Sequence, residues 1–115
     1  MDRSLLSKAT ADAADPTPGY MYNEIARITH ASVDACIQLE TWLLKRLKKD
    51  SVHVKLKVLR VIKHCCQHGH ATFRREMQRH TTDVKECLGK LPNSALASGW
   101  RRLWDTGGGG AAWLP

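Results

Sequence analysis

The stretch Ser51–Gly69, SVHVKLKVLRVIKHCCQHG, carries the strongest helical pattern in this chain of 115 residues. Ser51 stands where an N-cap hydroxyl would accept a free backbone N–H, and Gly69 stands where a left-handed C-terminal cap is least costly. Apolar residues recur at helical spacing between them: Leu56, Leu59, Ile62 and Cys66, widened by Val52, Val58 and Cys65. Because this apolar stripe is broad, the helix needs neighbours on two or more sides. The sequence therefore predicts that the other helices pack around this one.

Amphipathic patterns precede this central helix. The pattern of residues 2–14 predicts a short helix with Leu5, Leu6 and Ala9 on one side. The two prolines of Asp15-Pro16-Thr17-Pro18-Gly19 end this helix. Residues 20–30 predict a second helix. The third is expected over Val33–Lys49 with Ser32 as its N-cap. Its predicted core positions are Val33, Ile37, Leu39, Leu43, Leu44 and Leu47.

After Gly69 the pattern continues over His70–Leu88, as one long helix or as two short helices divided near Thr81-Thr82-Asp83. The residues predicted to point inward are Phe73, Met77, Val84, Cys87 and Leu88. No stretch shows convincing strand alternation. Short corners between long amphipathic helices predict antiparallel neighbours stacked in a row, so the expected fold is an all-α superhelical array rather than a bundle with one closed core.

Composition fits one modest domain, since 43% of the residues are hydrophobic and 25% are charged. The N-terminus lacks a basic leader followed by a long apolar segment, and no apolar run is long enough for a membrane span. Cys36, Cys65, Cys66 and Cys87 lie inside helical patterns, which favours reduced, buried thiols. We therefore expect a cytoplasmic protein without a transmembrane segment.

The net charge of +7 is unevenly distributed. Residues 1–44 carry three basic and six acidic side chains, whereas residues 45–90 carry thirteen basic and four acidic ones, a net charge of +9. A local excess of this kind favours an anionic partner such as lipid headgroups, nucleic acid or an acidic peptide, although solvated helix faces give the same count.

The chain is expected to divide into three parts. Residues 1–17 form a short helix and a proline-containing linker, residues 18–90 form the helical domain, and residues 91–115 form a divergent tail rich in Trp and Gly. The run Gly107–Gly110 loses too much backbone entropy on ordering to form a stable element, so the tail with Trp100, Trp104 and Trp113 is predicted to be poorly ordered.

Several blocks in order resemble the ENTH/VHS superfamily, and most closely its tepsin-like branch with the plant relatives. The blocks are Pro18-Gly19-Tyr20, Glu24-Ile25-Ala26, residues 43–47 (LLKRL), residues 54–63 (VKLKVLRVIK) and residues 73–79 (FRREMQR). The resemblance covers roughly residues 18–90. It implies a superhelical stack of α-helices in a vesicle-coat accessory protein that works beside clathrin and adaptor complexes at the trans-Golgi network or endosome.

The resemblance stops after about residue 90. Relatives continue with a segment of the type His-Pro-Asp-Pro-Leu and with further helices that close the stack, and the tail of this chain does not resemble that segment. We therefore expect a stack that is incomplete at its C-terminal end, through truncation, alternative splicing or a gene-model error. Residues 1–14 hold Arg3 and Lys8 against Asp2 and Asp12, which argues against the basic membrane-folding helix of epsins.

Basic side chains near the corner of the third and central helices are the first candidates for binding lipid or a protein partner: Lys45, Lys48, Lys49, Lys55 and Lys57. The spacing of Lys45, Lys55 and Lys57 resembles the inositol-phospholipid motif of the related ANTH group, but Val58 stands where that motif has His or Tyr. A second basic face is expected at Arg74, Arg75 and Arg79. Docking through these charges should weaken steeply with salt.

The stretch His64-Cys65-Cys66-Gln67-His68 also suggests zinc, because His64 and His68 are one helical turn apart. Both cysteines fall on the apolar stripe, however, and no second ligand pair follows, so buried thiols are the preferred interpretation and no metal or other cofactor is expected. No phosphate loop or flanked nucleophile supports an enzyme. The alternative from another class is a basic helical nucleic-acid-binding protein, although no recognition helix is evident.

Overall fold

The computed structural model describes residues 2–89. That part of the chain contains no strand and forms six α-helices and one 3-10 helix, so the predicted all-α stack of antiparallel helices is confirmed. The elements are α1 (Arg3–Ala9), α2 (Gly19–Ile28), α3 (Val33–Leu47), α4 (Val52–His68), α5 (Ala71–Met77), the 3-10 helix (Gln78–His80) and α6 (Thr81–Gly89).

The helix α4 is the centre of the fold, as the sequence predicts. It contacts α2, α3 and α5, and its apolar stripe is buried against all three. The fully or almost fully buried apolar residues of α4 are Val54, Val58, Leu59, Val61, Ile62, Cys65 and Cys66. Near the start of α4 the buried face differs from the predicted stripe, because Val52 is 46% exposed and Leu56 is half-buried.

Both predicted N-caps are confirmed. The Ser51 hydroxyl accepts a hydrogen bond from the Val54 N–H at the start of α4, and the Ser32 hydroxyl accepts one from the Ala35 N–H at the start of α3. Each satisfies a backbone donor that the first helical turn leaves without an internal partner. Both helix starts are therefore encoded locally.

The predicted left-handed cap at Gly69 is wrong. Its backbone is extended, with φ −85° and ψ −172°. A Cβ atom there would lie 2.5 Å from the Cys65 carbonyl oxygen and 2.7 Å from the Thr29 hydroxyl oxygen. That hydroxyl donates to the Ala26 carbonyl and accepts from the His70 N–H. Glycine is required because the end of α2 approaches the end of α4 too closely for a side chain.

The core face of α3 is predicted in part. Leu39, Leu43 and Leu47 are buried as predicted, whereas Val33 and Ile37, also predicted to point inward, are 58% and 45% exposed. Cys36 and Glu40 complete the buried face. The Cys36 thiol donates to the Thr29 carbonyl, so the first turn of α3 is attached to the end of α2 through the cysteine rather than through the valine.

The segment after Gly69 forms two short helices, which confirms one of the two predicted alternatives. The 3-10 helix Gln78–His80 separates them, immediately before the predicted break. The four described residues predicted to point inward, Phe73, Met77, Val84 and Cys87, are all buried. This part of the chain therefore covers the remaining side of α3 and α4.

The helix α1 packs into the same core, since Leu6 and Ala9 are fully buried. The segment after it is held by polar contacts: the Ser51 hydroxyl donates to Asp12 Oδ1, and the Thr17 hydroxyl donates to the Ala9 carbonyl. The expected tail at residues 91–115, with its three tryptophans and glycine run, and the expected incomplete C-terminal end of the stack lie outside the described residues.

Candidate functional site

The end of α3 and the turn to α4 present three exposed lysines, Lys45, Lys48 and Lys49, which we call the α3 corner. Lys48 is the C-cap residue of α3, where cations are favoured by the negative end of the helix dipole. No ion pair found among residues 2–89 involves any of the three. Their charges are therefore available to a partner.

Lys55 and Lys57 lie inside the protein rather than on the α3 corner, because both are only 7% exposed. The Lys55 ammonium donates to the Leu47 carbonyl at 2.7 Å, and the Lys57 ammonium donates to the Ala11 carbonyl at 3.1 Å. Each lysine thus links α4 to a neighbouring segment. Of the three lysines whose spacing resembles a phospholipid motif, only Lys45 is exposed, and binding through the other two remains a prediction.

The second basic face lies on α5 and the 3-10 helix. Arg75 is exposed, and Arg79 is exposed as well but lies 3.5 Å from the Glu76 carboxylate in a surface ion pair. Arg74 is half-buried, and its Nη2 atom is buried with no hydrogen-bond partner among the described residues. Its charge is turned partly into the fold, so Arg75 and Arg79 are the two members of this face that remain open to solvent.

A buried carboxylate, Glu40, was not predicted from the sequence. It lies on the core face of α3, and His80 Nε2 is 3.0 Å from its Oε1 atom, while His80 Nδ1 is 3.6 Å from Asp83 Oδ2. The pKa of the Glu40 carboxyl is raised to about 7, mainly by burial and further by the Glu76 charge, while the Arg79 charge opposes both effects. One signal in the sequence could have indicated this burial: Glu40 follows Cys36 by four residues, and residues four apart lie on the same face of a helix.

The cysteines and histidines of α4 are separated by burial and by their contacts. Burial, followed by the neighbouring Cys36, raises the pKa of Cys65 to about 12, and burial also raises the pKa of Cys66. Burial, and then the neighbouring His68, lowers the pKa of His64, whose Nε2 lies 3.2 Å from Asn23 Oδ1. Within residues 2–89 no three metal-ligating side chains come together. The thiols are therefore protonated parts of the core.

Short connections between packed α-helices define an all-α helical-array domain. The ENTH domain model matches residues 3–90, and the chain belongs to the ENTH domain family. Within the described part of the chain, no helix is both long and apolar enough to cross a membrane.

Similar proteins support the same assignment. Over 82 residues, or 71% of this chain, it is 43% identical to the AP-4 complex accessory subunit tepsin of Xenopus laevis and 39% identical to the AP-4 complex accessory subunit Tepsin of Homo sapiens. It is 34% identical over 70% of its length to the protein MODIFIED TRANSPORT TO THE VACUOLE 1 of Arabidopsis thaliana. The matched region spans 15%, 16% and 12% of these relatives.

A solved structure confirms the fold. The NMR structure of a hypothetical ENTH-VHS domain from Arabidopsis thaliana superposes with a TM-score of 0.69 and 29% identity, covering 87% of this chain and 76% of that chain. The fold expected from the resemblance to the ENTH/VHS superfamily is therefore confirmed, and so is the likeness to the tepsin-like branch.

Proposed function

We propose that this chain is a non-enzymatic accessory module in adaptor-complex-dependent vesicle trafficking. The observation that carries the proposal is the ENTH match over residues 3–90, together with relatives whose names describe AP-4 accessory subunits and transport to the vacuole. The module would act in the cytoplasm at the periphery of trans-Golgi or endosomal membranes, including clathrin-coated ones, through contacts with coat or adaptor proteins. The proposal involves no cofactor and no reaction.

The α3 corner is the proposed contact for an anionic surface. Three exposed ammonium groups within five residues can approach phospholipid headgroups together, and each lysine near an anionic leaflet contributes about 1 kcal/mol. Lys55 and Lys57 support this corner indirectly, because their internal hydrogen bonds hold the end of α3 and the segment after α1 against α4. Arg75 and Arg79 offer a second basic contact for a protein partner.

The test of the trafficking role is recovery of adaptor-complex subunits with the tagged chain from cells. A triple variant, Lys45→Glu, Lys48→Glu and Lys49→Glu, reverses the corner charge. A matched control, Lys8→Glu, Arg27→Glu and Arg60→Glu, makes the same change in net charge at three other exposed positions. Failure of the unmodified chain to recover any adaptor-complex subunit or to concentrate on vesicle membranes would overturn the trafficking role.

Membrane contact has its own measurement. We expect flotation with vesicles that contain phosphoinositide, loss of flotation in the corner variant but not in its control, and a steep decrease between 50 and 200 mM salt as screening increases (roughly a halving of the Debye length). A gel shift with DNA and RNA under the same salt conditions completes the comparison. Binding to nucleic acid alone would replace the proposal with the nucleic-acid alternative.

A further inference from the structure

A groove runs between α1 and α3, and we call it the α1–α3 groove. It encloses about 280 Å³ and is lined by Arg3, Ile37, Gln38, Thr41, Trp42 and Lys45. Ligand clefts in proteins commonly enclose roughly 300–1,000 Å³, so this groove is small, with room for about one or two bulky side chains.

The floor of the groove is apolar and open. Ile37, in the second turn of α3, is 45% exposed, and Trp42, which lines the same groove, is half-buried. An exposed large aliphatic side chain gains free energy when a partner covers it, at about 25 cal/mol per Å² of apolar surface removed from water. The floor therefore favours an apolar side chain as its occupant.

The floor is also held in place before any partner arrives. The Arg46 guanidinium lies 5.8 Å from the centre of the Trp42 ring, and it donates to the Thr10 hydroxyl and to the Thr10 carbonyl, each at 3.2 Å. Because Thr10 is the C-cap of α1, this contact fixes the tryptophan relative to both helices. A preorganised site spends less free energy on ordering when it binds.

The rim of the groove is cationic. Arg3 from α1 and Lys45 from α3 both line it, neither takes part in an ion pair identified within residues 2–89, and no lining residue is acidic. An apolar floor between two unpaired cations is complementary to a carboxylate-flanked apolar side chain.

We propose that the α1–α3 groove binds a short segment of a partner protein that places one or two bulky aliphatic side chains on Ile37 and Trp42 and carboxylates against Arg3 and Lys45. Charge disfavours the other occupants. The tail at residues 91–115 carries two arginines and one aspartate, and a second copy of the chain brings a net charge of +7. The proposal goes beyond the trafficking role, which would stand if the groove bound nothing.

The probe is a fluorescein-labelled peptide of eight residues with Leu-Ile at its centre and three acidic residues on each side. Its affinity for the full 115-residue chain is measured by fluorescence anisotropy. We expect Ile37→Ser and Lys45→Gln each to weaken binding at least fivefold. The matched controls Val52→Ser and Arg60→Gln, at exposed positions outside both the groove and the α3 corner, should stay within twofold. Circular dichroism checks that every variant is folded.

Two altered peptides test the chemistry of the partner. Replacing Leu-Ile with Ala-Ala, or all acidic residues with their amides, should weaken binding at least tenfold. Equal loss in the groove variants and in their controls would overturn the proposal, and so would the absence of peptide binding.

Three further outcomes would name a different occupant and overturn the proposal as well. The first is binding of phosphatidylserine vesicles, rather than peptide, that Ile37→Ser abolishes. The second is a dimer in size-exclusion chromatography that Ile37→Ser dissociates. The third is at least tenfold tighter peptide binding after Trp100, Trp104 and Trp113 are all changed to Ser. This result would identify the tail at residues 91–115 as the occupant of the groove.

Discussion

His80 Nε2 lies 3.0 Å from Glu40 Oε1, and this contact joins the 3-10 helix to the core face of α3. The Glu40 side chain is 5% exposed, whereas the His80 side chain is 41% exposed. Other charged groups surround the carboxylate: Asp83 shares the histidine, Glu76 raises the pKa of Glu40 and Arg79 opposes it. A titratable group buried in the main core is thus connected to solvent through one imidazole ring.

Stability should depend on the protonation of Glu40. Its pKa rises from 4.5 to about 7 on folding, so the stabilisation from the protonated carboxyl is complete below pH 4.5 and is lost as the pH rises through 7. The variant Glu40→Gln should therefore raise the melting temperature at pH 8 and have little effect at pH 5. The upper limit of the gain is about 3 kcal/mol, because each pKa unit corresponds to 1.36 kcal/mol.

The control for this pH dependence is Glu24→Gln, which changes an exposed carboxylate on α2. Thermal unfolding followed by circular dichroism between pH 5 and 8 compares the two variants with the unmodified chain. A Glu40→Gln effect that does not vary with pH would show that the carboxylate is not penalised by burial.

Gly69→Ala should destabilise the domain. The added Cβ atom would meet the Cys65 carbonyl and the Thr29 hydroxyl, and neither a helix carbonyl nor a hydroxyl with two hydrogen bonds can move freely. We expect a loss of roughly 1–3 kcal/mol in urea unfolding, as for other overpacked sites. Gly19→Ala is the matched control, since a Cβ there meets nothing within 4 Å; its stability should stay equal or increase.

Lys55→Met should cost about 1–3 kcal/mol, because it leaves the Leu47 carbonyl at the end of α3 without its 2.7 Å donor. Lys49→Met removes the same charge from an exposed position and should change stability by no more than about 0.5 kcal/mol. Chemical denaturation of both variants provides the comparison. Equal effects would mean that the internal hydrogen bond of Lys55 contributes nothing beyond its charge.

Leu6→Ala tests whether α1 belongs to the cooperative core. Leu6 is fully buried in the cluster formed with the other helices, so its truncation should cost about 2–5 kcal/mol in a single unfolding transition. Leu5→Ala, at a half-buried neighbouring position, should cost less. If the two substitutions had the same small effect, α1 would not belong to the cooperative core.

Local signals predicted much of the fold. The apolar stripe of α4, the caps at Ser51 and Ser32 and the prolines before α2 depend on neighbours within a few residues, and the structure confirms their consequences. The core face of α3 was predicted only in part: Leu39, Leu43 and Leu47 are buried, but Val33 and Ile37 are exposed although they have the right chemistry and nearly the right spacing for a buried face. Only the contact between Cys36 and Thr29 shows which face turns inward.

The candidate site was predicted less completely than the fold. Five lysines cluster in sequence near one corner, yet two of them reach back to the carbonyls of Leu47 and Ala11. The spacing of lysines in a sequence does not show whether their ammonium groups face solvent or bind a backbone oxygen, because that oxygen belongs to another segment of the chain. The apolar groove between α1 and α3 was also not predicted, since it requires both helices to be placed.

The sequence by itself determined that this protein is a helical array built on residues 51–69, since helical periodicity and capping act over one or two turns. The tertiary structure alone decided which charges are exposed, why residue 69 must be glycine and where a carboxylate is buried. Those properties depend on which distant segments meet: the contact between Lys57 and Ala11 spans 46 residues of chain, and the contact between Glu40 and His80 spans 40.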